Sequence, residues 1–137
     1  MNILSAKNAA EFANIQRMDS RGRATHVLVP GHNGVWYEVV IARHKYNGIQ
    51  VISTKCTCVK DKTPCKGNIN KLCYHSLAAI LAGAKKTKVS VSFCKSKEGA
   101  DKLANIAKVS PCMVQSQQSQ NSIWMIAKDL LEATMAC

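Results

Sequence analysis

The sequence predicts an α+β fold: a small antiparallel β-meander with a Cys/His-rich knuckle and a helix, followed by a strand–helix–strand–strand unit. Three observations lead there. β-Branched, apolar runs at 25–29, 35–43 and 49–55 are separated by short turns rich in Gly and Asn. A stretch at 56–71 with no hydrophobic period, crowded with Cys and Lys, gives way after Cys73 to apolar residues at helical spacing. From Lys88 onward the period runs from two to that of a helix and back to two.

Taken in order, residues 5–18 (SAKNAAEFANIQRM) read as a helix. Ser5 is a cap, Ala, Glu and Gln favour the helical state, and Phe12, Ile15 and Met18 share a face. Residues 19–23 end it with polar and glycine punctuation. Residues 25–29 form the first strand, 30–34 (PGHNG) a turn and 35–43 the second strand. Asn47-Gly48 is the pair that two-residue hairpins favour, because both positions need positive φ; 49–55 is the third strand. Leu77, Ile80, Leu81 and Ala84 mark the next helix. Val89, Val91 and Phe93 alternate as a strand. Ser96 caps a helix over 96–108, with Ala100, Leu103, Ala104 and Ala107 on one face. Residues 112–115 and 122–127 are strands around a polar Gln/Ser turn, and the tail from Lys128 adds a short helix. The expected organisation is 1–24 as helix and linker, 25–86 as the knuckle unit, and 87–137 as a C-terminal unit packed on it. Trp36 and Trp124 are expected in the core, with Cys94 and Cys112 as buried thiols; His26, His32 and His44 are expected at the surface.

Composition removes several classes of function. No apolar run approaches the roughly 20 residues of a membrane-spanning helix, and the N-terminus lacks the basic and apolar regions of a secretory signal. The chain has 137 residues and seven cysteines. An odd count without an export signal argues against a disulfide framework and for reduced thiols in an intracellular setting.

The chemistry is concentrated in Cys56-Thr57-Cys58, Cys65 and Cys73-Tyr74-His75, a C-x-C-x14-C-x-H spacing with one extra cysteine inside it. Zinc takes four soft or borderline donors in a tetrahedron. A C-x-C pair at the end of a strand and a C-x-H pair at the start of a helix supply them from two elements. Four protein ligands leave no position open for water or substrate, so one structural Zn2+ is expected. Cys65 is a fifth candidate that could stand in for Cys73; Cys73 is preferred because the same helix start positions His75.

With strands at 36–55 before it and the apolar helix HSLAAIL after it, the segment 25–86 resembles a SWIM-type zinc finger, whose signature is C-x-C, a variable gap, then C-x-H. The resemblance carries the ligands onto Cys56, Cys58, Cys73 and His75. Tyr74 stands where the family usually has a charged residue. SWIM-type fingers occur in transposases, chromatin-remodelling ATPases and recombination factors, so the resemblance implies contact with DNA or with a protein.

Charge points the same way. Nineteen Lys and Arg face eight Asp and Glu, a net charge of +11. Ten of the lysines lie between Lys55 and Lys97, with Asp61 as the one acid among them. Lysines flanking a metal knuckle are the footprint of phosphate contact. The candidate nucleic-acid residues are Lys55, Lys60, Lys62, Lys66, Lys71, Lys85, Lys86 and Lys88, with Tyr74 either stacking on a base or covering the metal. No paired carboxylates, glycine-rich phosphate loop or G-x-S-x-G motif is present, so no catalytic residues are expected. The function expected is that of a small non-enzymatic zinc protein contacting DNA or RNA. The alternative is a protein–protein adaptor in which the zinc is purely structural. Neither a membrane nor a small-molecule substrate is expected.

Overall fold

The structure, a computed structural model, describes residues 3–18, 24–31, 34–60, 72–86, 88–116, 122–128 and 134–135. Its elements are α1 (Ile3–Phe12), β1 (Asn14–Met18), β2 (Ala24–Pro30), β3 (Trp36–Tyr46), β4 (Ile49–Cys56), α2 (Tyr74–Lys86), β5 (Ser90–Cys94), α3 (Lys97–Ala107), β6 (Cys112–Ser116), β7 (Ser122–Lys128) and β8 (Thr134–Met135). The fold is α+β, as the sequence predicts. The eight strands among the described residues share one sheet, in the order β1-β2-β3-β4-β6-β7-β5-β8.

β1 to β4 form an antiparallel meander. The β3–β4 turn is Asn47-Gly48 with φ of 50° and 77°, the doubly positive geometry that matches the twist of a tight hairpin. β4 then pairs in parallel with β6, Val51 opposite Met113, so strands from the two ends of the chain meet in the middle of the sheet. β6, β7 and β5 continue antiparallel, and β8 lies parallel to β5.

Alternation along the strands divides the core between the two faces. Val27, Val29, Val39, Ile41, Ile52, Phe93, Val114 and Ile123 pack with α1 and α2. Cys94, Ile126 and the half-buried Trp124 pack with Ala100 and Ala104 of α3. In β7, Ile123 and Met125 belong to the first set while Trp124 and Ile126 belong to the second, so α3 covers the face opposite α2. α2 is the central helix: every residue from Tyr74 to Ala82 is buried. Ala6 and Ala9 of α1 are buried against it, and their small side chains permit a close helix pair.

Ser96 caps α3 as its sequence implies, its Oγ accepting the Gly99 N–H at 3.1 Å. Lys108 closes the helix in the left-handed conformation at φ 59°. Ser96→Ala should lower stability by about 1 kcal/mol, read from the midpoint of urea unfolding.

Four expectations need correction. The first helix stops at Phe12 and not at Met18, because Ile15 turns inward between the exposed Asn14 and Gln16 and the open edge of β2 takes up the backbone hydrogen bonds. Phe12 is 67% exposed, so it shares no buried face with Ile15. Trp36 is also outside the core, at 52% exposure, since it sits at the end of β3 on the face away from α2. In the tail, Thr134–Met135 is a strand where a helix was expected; most of the tail lies outside the described residues. Finally, Cys94 is disulfide-bonded, whereas reduced thiols were expected throughout. An odd number of cysteines forbids complete pairing but not a single bond.

Candidate metal centre

Cys56 is the last residue of β4, placed opposite Val39 by the hairpin register. A 3-10 turn, Thr57–Lys60, follows and carries Cys58. Thr57 Oγ1 accepts the Glu38 backbone N–H at 3.1 Å, which fixes this turn to β3. On the other side, Leu72 is fully buried and holds the chain as it enters α2. Cys73 then precedes the first helical turn. Its carbonyl accepts from the Ser76 and Leu77 amides at 3.1 and 3.4 Å, and its Sγ receives the Ser76 N–H at 3.4 Å. The sulfur therefore stands where a capping oxygen would. The N-terminal end of the helix and that N–H both turn positive partial charge toward the sulfur. Ser76 Oγ lies 3.2 Å from the same sulfur.

The donor atoms of Cys56, Cys58, Cys73 and His75 all lie within 4.8 Å of one another. Cys56, Cys58 and His75 are buried and Cys73 is half-buried. His75 Nδ1 is 3.8 Å from Cys56 Sγ, and its Nε2 is buried with no hydrogen-bond partner among the described residues. Two aromatic rings enclose the imidazole. Tyr37 lies at 4.4 Å between centroids and Tyr74 at 4.1 Å. Gly31 makes room for Tyr37: a Cβ there would stand 2.5 Å from the Tyr37 ring.

The electrostatics suit a cation. The Cys58 thiol's hydrogen bond pulls the Cys56 pKa down, but the side-chain hydrogen bond from Cys73, burial and repulsion from Cys73 together hold it far above the ordinary thiol range. If ionised together, three thiolates in such a volume need a compensating positive ion, and the buried His75 Nε2 has no hydrogen-bond partner among the described residues. The donor set thus fits one metal ion, held by Cys56, Cys58, Cys73 and His75.

The sequence-derived residues separate in space. Tyr74 is 4% exposed with its ring on His75, so it covers the site and presents no face for stacking on a base. Lys55 is exposed in β4, opposite Val40, on the sheet face away from α2. Lys85, Lys86 and Lys88 are exposed at the far end of α2. The ten residues from His75 to Lys85 put them about 15 Å along the helix from the metal ligands. The described lysines therefore do not form one patch around the knuckle. Cys65, Lys62, Lys66, Lys71 and His32 lie outside the described residues, as does the Lys60 side chain. His44 is exposed, and His26 is half-buried, with Nδ1 3.6 Å from Glu38 Oε1. Of the two rings that box His75, sequence reasoning offered Tyr74 as a cover for the metal but missed Tyr37; the signal available was that Tyr37 alternates with Val39 and Ile41 toward the helix face.

No family model, curated protein or solved structure matches the chain. Among the described residues no helix is long and apolar enough to cross a membrane.

Proposed function

We propose that this chain is a small, non-enzymatic, SWIM-type zinc protein that acts inside the cell and contacts nucleic acid, with DNA favoured, through its lysine-rich surface. The observation that carries the reading is the closed Cys56/Cys58/Cys73/His75 cluster, buried and built from a strand end and a helix start. Zinc is the metal that three thiolates and an imidazole suit best. When bound, it neutralises the thiolates and ties β4 to α2. Its four protein ligands leave no position for a substrate, so its role is structural.

The net charge of +11 supports the nucleic-acid part. Lys85 and Lys86 are exposed in the last turn of α2 and Lys88 is exposed just after it, and Lys55 offers a cation on the other face. The test is binding to a labelled DNA duplex, and to a single strand, across a salt series. Affinity should fall steeply as salt rises, and Lys85→Ala should reduce the slope of log K against log salt by about one unit. Failure to bind either probe at low salt would overturn this part of the proposal and favour the protein–protein adaptor. The zinc part stands or falls separately, on elemental analysis.

A further inference from the structure

On the helix-covered face, a cleft of about 550 Å³ lies between α2, from Ala79 to Ala84, and the sheet, and none of the four metal-site residues lines it. Its floor is apolar and buried, formed by Val27, Ile41, Ile52, Val91 and Met125. Its rim is different. Arg43 and Gln50, both exposed, and the half-buried Cys112 stand at the opening. Among the described residues no acidic side chain lines the cleft.

Three observations say what fits. First, the size: ligand pockets run from about 300 to 1,000 Å³, and an apolar cavity of about 150 Å³ already takes up a small aromatic molecule. Second, the charge: Arg43 makes no ion pair among the described residues, and its field reaches the Cys112 thiol, opposing the upward push that burial gives that group. Lys85, Lys86 and Lys88 flank Ala84 and Val89, which also line the cleft, so its helix end is cationic as well. Third, Gly83 lines the cleft from within α2, where glycine is a poor helix former, and a Cβ there would meet nothing within 4 Å. The space left by its missing side chain belongs to the cleft.

We propose that this cleft binds a free long-chain carboxylate, with its hydrocarbon chain on the apolar floor and its head group on Arg43. The floor has too few polar groups for a nucleotide, and a single chain suits the volume. The site is independent of the metal and of the nucleic-acid reading.

The test uses the full zinc-loaded chain and palmitate, with hexadecanol as the uncharged control, followed by titration calorimetry. Palmitate should bind one to one, about tenfold or more tighter than hexadecanol, because a guanidinium–carboxylate contact is charge-assisted. Arg43→Gln should remove that preference and leave hexadecanol unchanged. Gly83→Leu should abolish binding of both while keeping or raising the thermal midpoint, since it fills open space on a better helix former. Palmitate should also slow alkylation of Cys112 by iodoacetamide. The proposal is overturned by no binding of palmitate below its critical micelle concentration, by equal binding of hexadecanol, or by full binding in a folded Gly83→Leu. Recruitment to phosphatidylglycerol vesicles without binding of free palmitate would also overturn it.

Discussion

Chelating the metal should unfold the end of β4 and the start of α2, with loss of most of the cooperative unfolding transition. The zinc-binding energy of such a site is about 10–16 kcal/mol, which exceeds the 5–15 kcal/mol that separates most domains from their unfolded state. Cys73→Ala should lose its zinc, counted as one equivalent per wild-type chain by elemental analysis, and should weaken the cap of α2, where Cys73 Sγ receives the Ser76 N–H. Cys65→Ala should keep its zinc. The opposite pattern, metal retained without Cys73 and lost without Cys65, would show that Cys65 is the third thiolate. Without the ion, the thiols must be protonated or separated, because Cys56 is already pushed far above its usual range by its neighbours and by burial. Zinc removal should therefore appear first as lost protection of the amides around Cys56 and Ser76 in hydrogen exchange.

Leu77→Ala should have the next largest effect, lowering stability by about 2–5 kcal/mol. Leu77 is fully buried on α2, two positions after His75, and its amide bonds to the Cys73 carbonyl. Its loss leaves a void under the turn that presents both C-terminal ligands. The variant should thus release zinc to a chelator faster as well as unfold at lower urea. Ile106→Ala is the matching control: at 79% exposure it should change stability by no more than about 0.5 kcal/mol. A Leu77→Ala protein that unfolds earlier but holds zinc as well as wild type would separate the site from the core and contradict this coupling.

Features governed by neighbouring residues were readable from the chain alone. Ser96 and Gly99 settle the start of α3 between themselves, and Asn47-Gly48 dictates its own turn. The C-x-C and C-x-H pairs are legible for the same reason, since each pair sits on one short element. Features decided by distant partners were hidden. Asn14–Met18 becomes a strand because β2 offers a free edge, which outweighs the helix preference of its residues. Trp36 is exposed because the sheet ends beside it. The cleft beside Arg43 and Cys112 is assembled from α2 and strands at both ends of the chain, so no window of sequence contains it. Among the described lysines, Lys55 and the group Lys85, Lys86 and Lys88 are set apart by the length of α2 and by the two faces of the sheet, a separation their closeness in sequence does not show.

The parallel pairing of β4 with β6 has a consequence for the order of events during folding. Thr54 Oγ donates to the Gln115 carbonyl at 3.5 Å across sixty-one positions of chain. The meander needs only short turns and can form early, but this junction must wait for a long loop to close, and contacts of that span slow a folding reaction. The tie between Cys56 and His75 spans nineteen positions and lies inside that loop. Metal captured early removes those positions from the free chain and brings α2 onto the meander before β6 arrives. Zinc supplied during refolding should therefore raise the rate at which the sheet closes, making the metal a timekeeper for assembly.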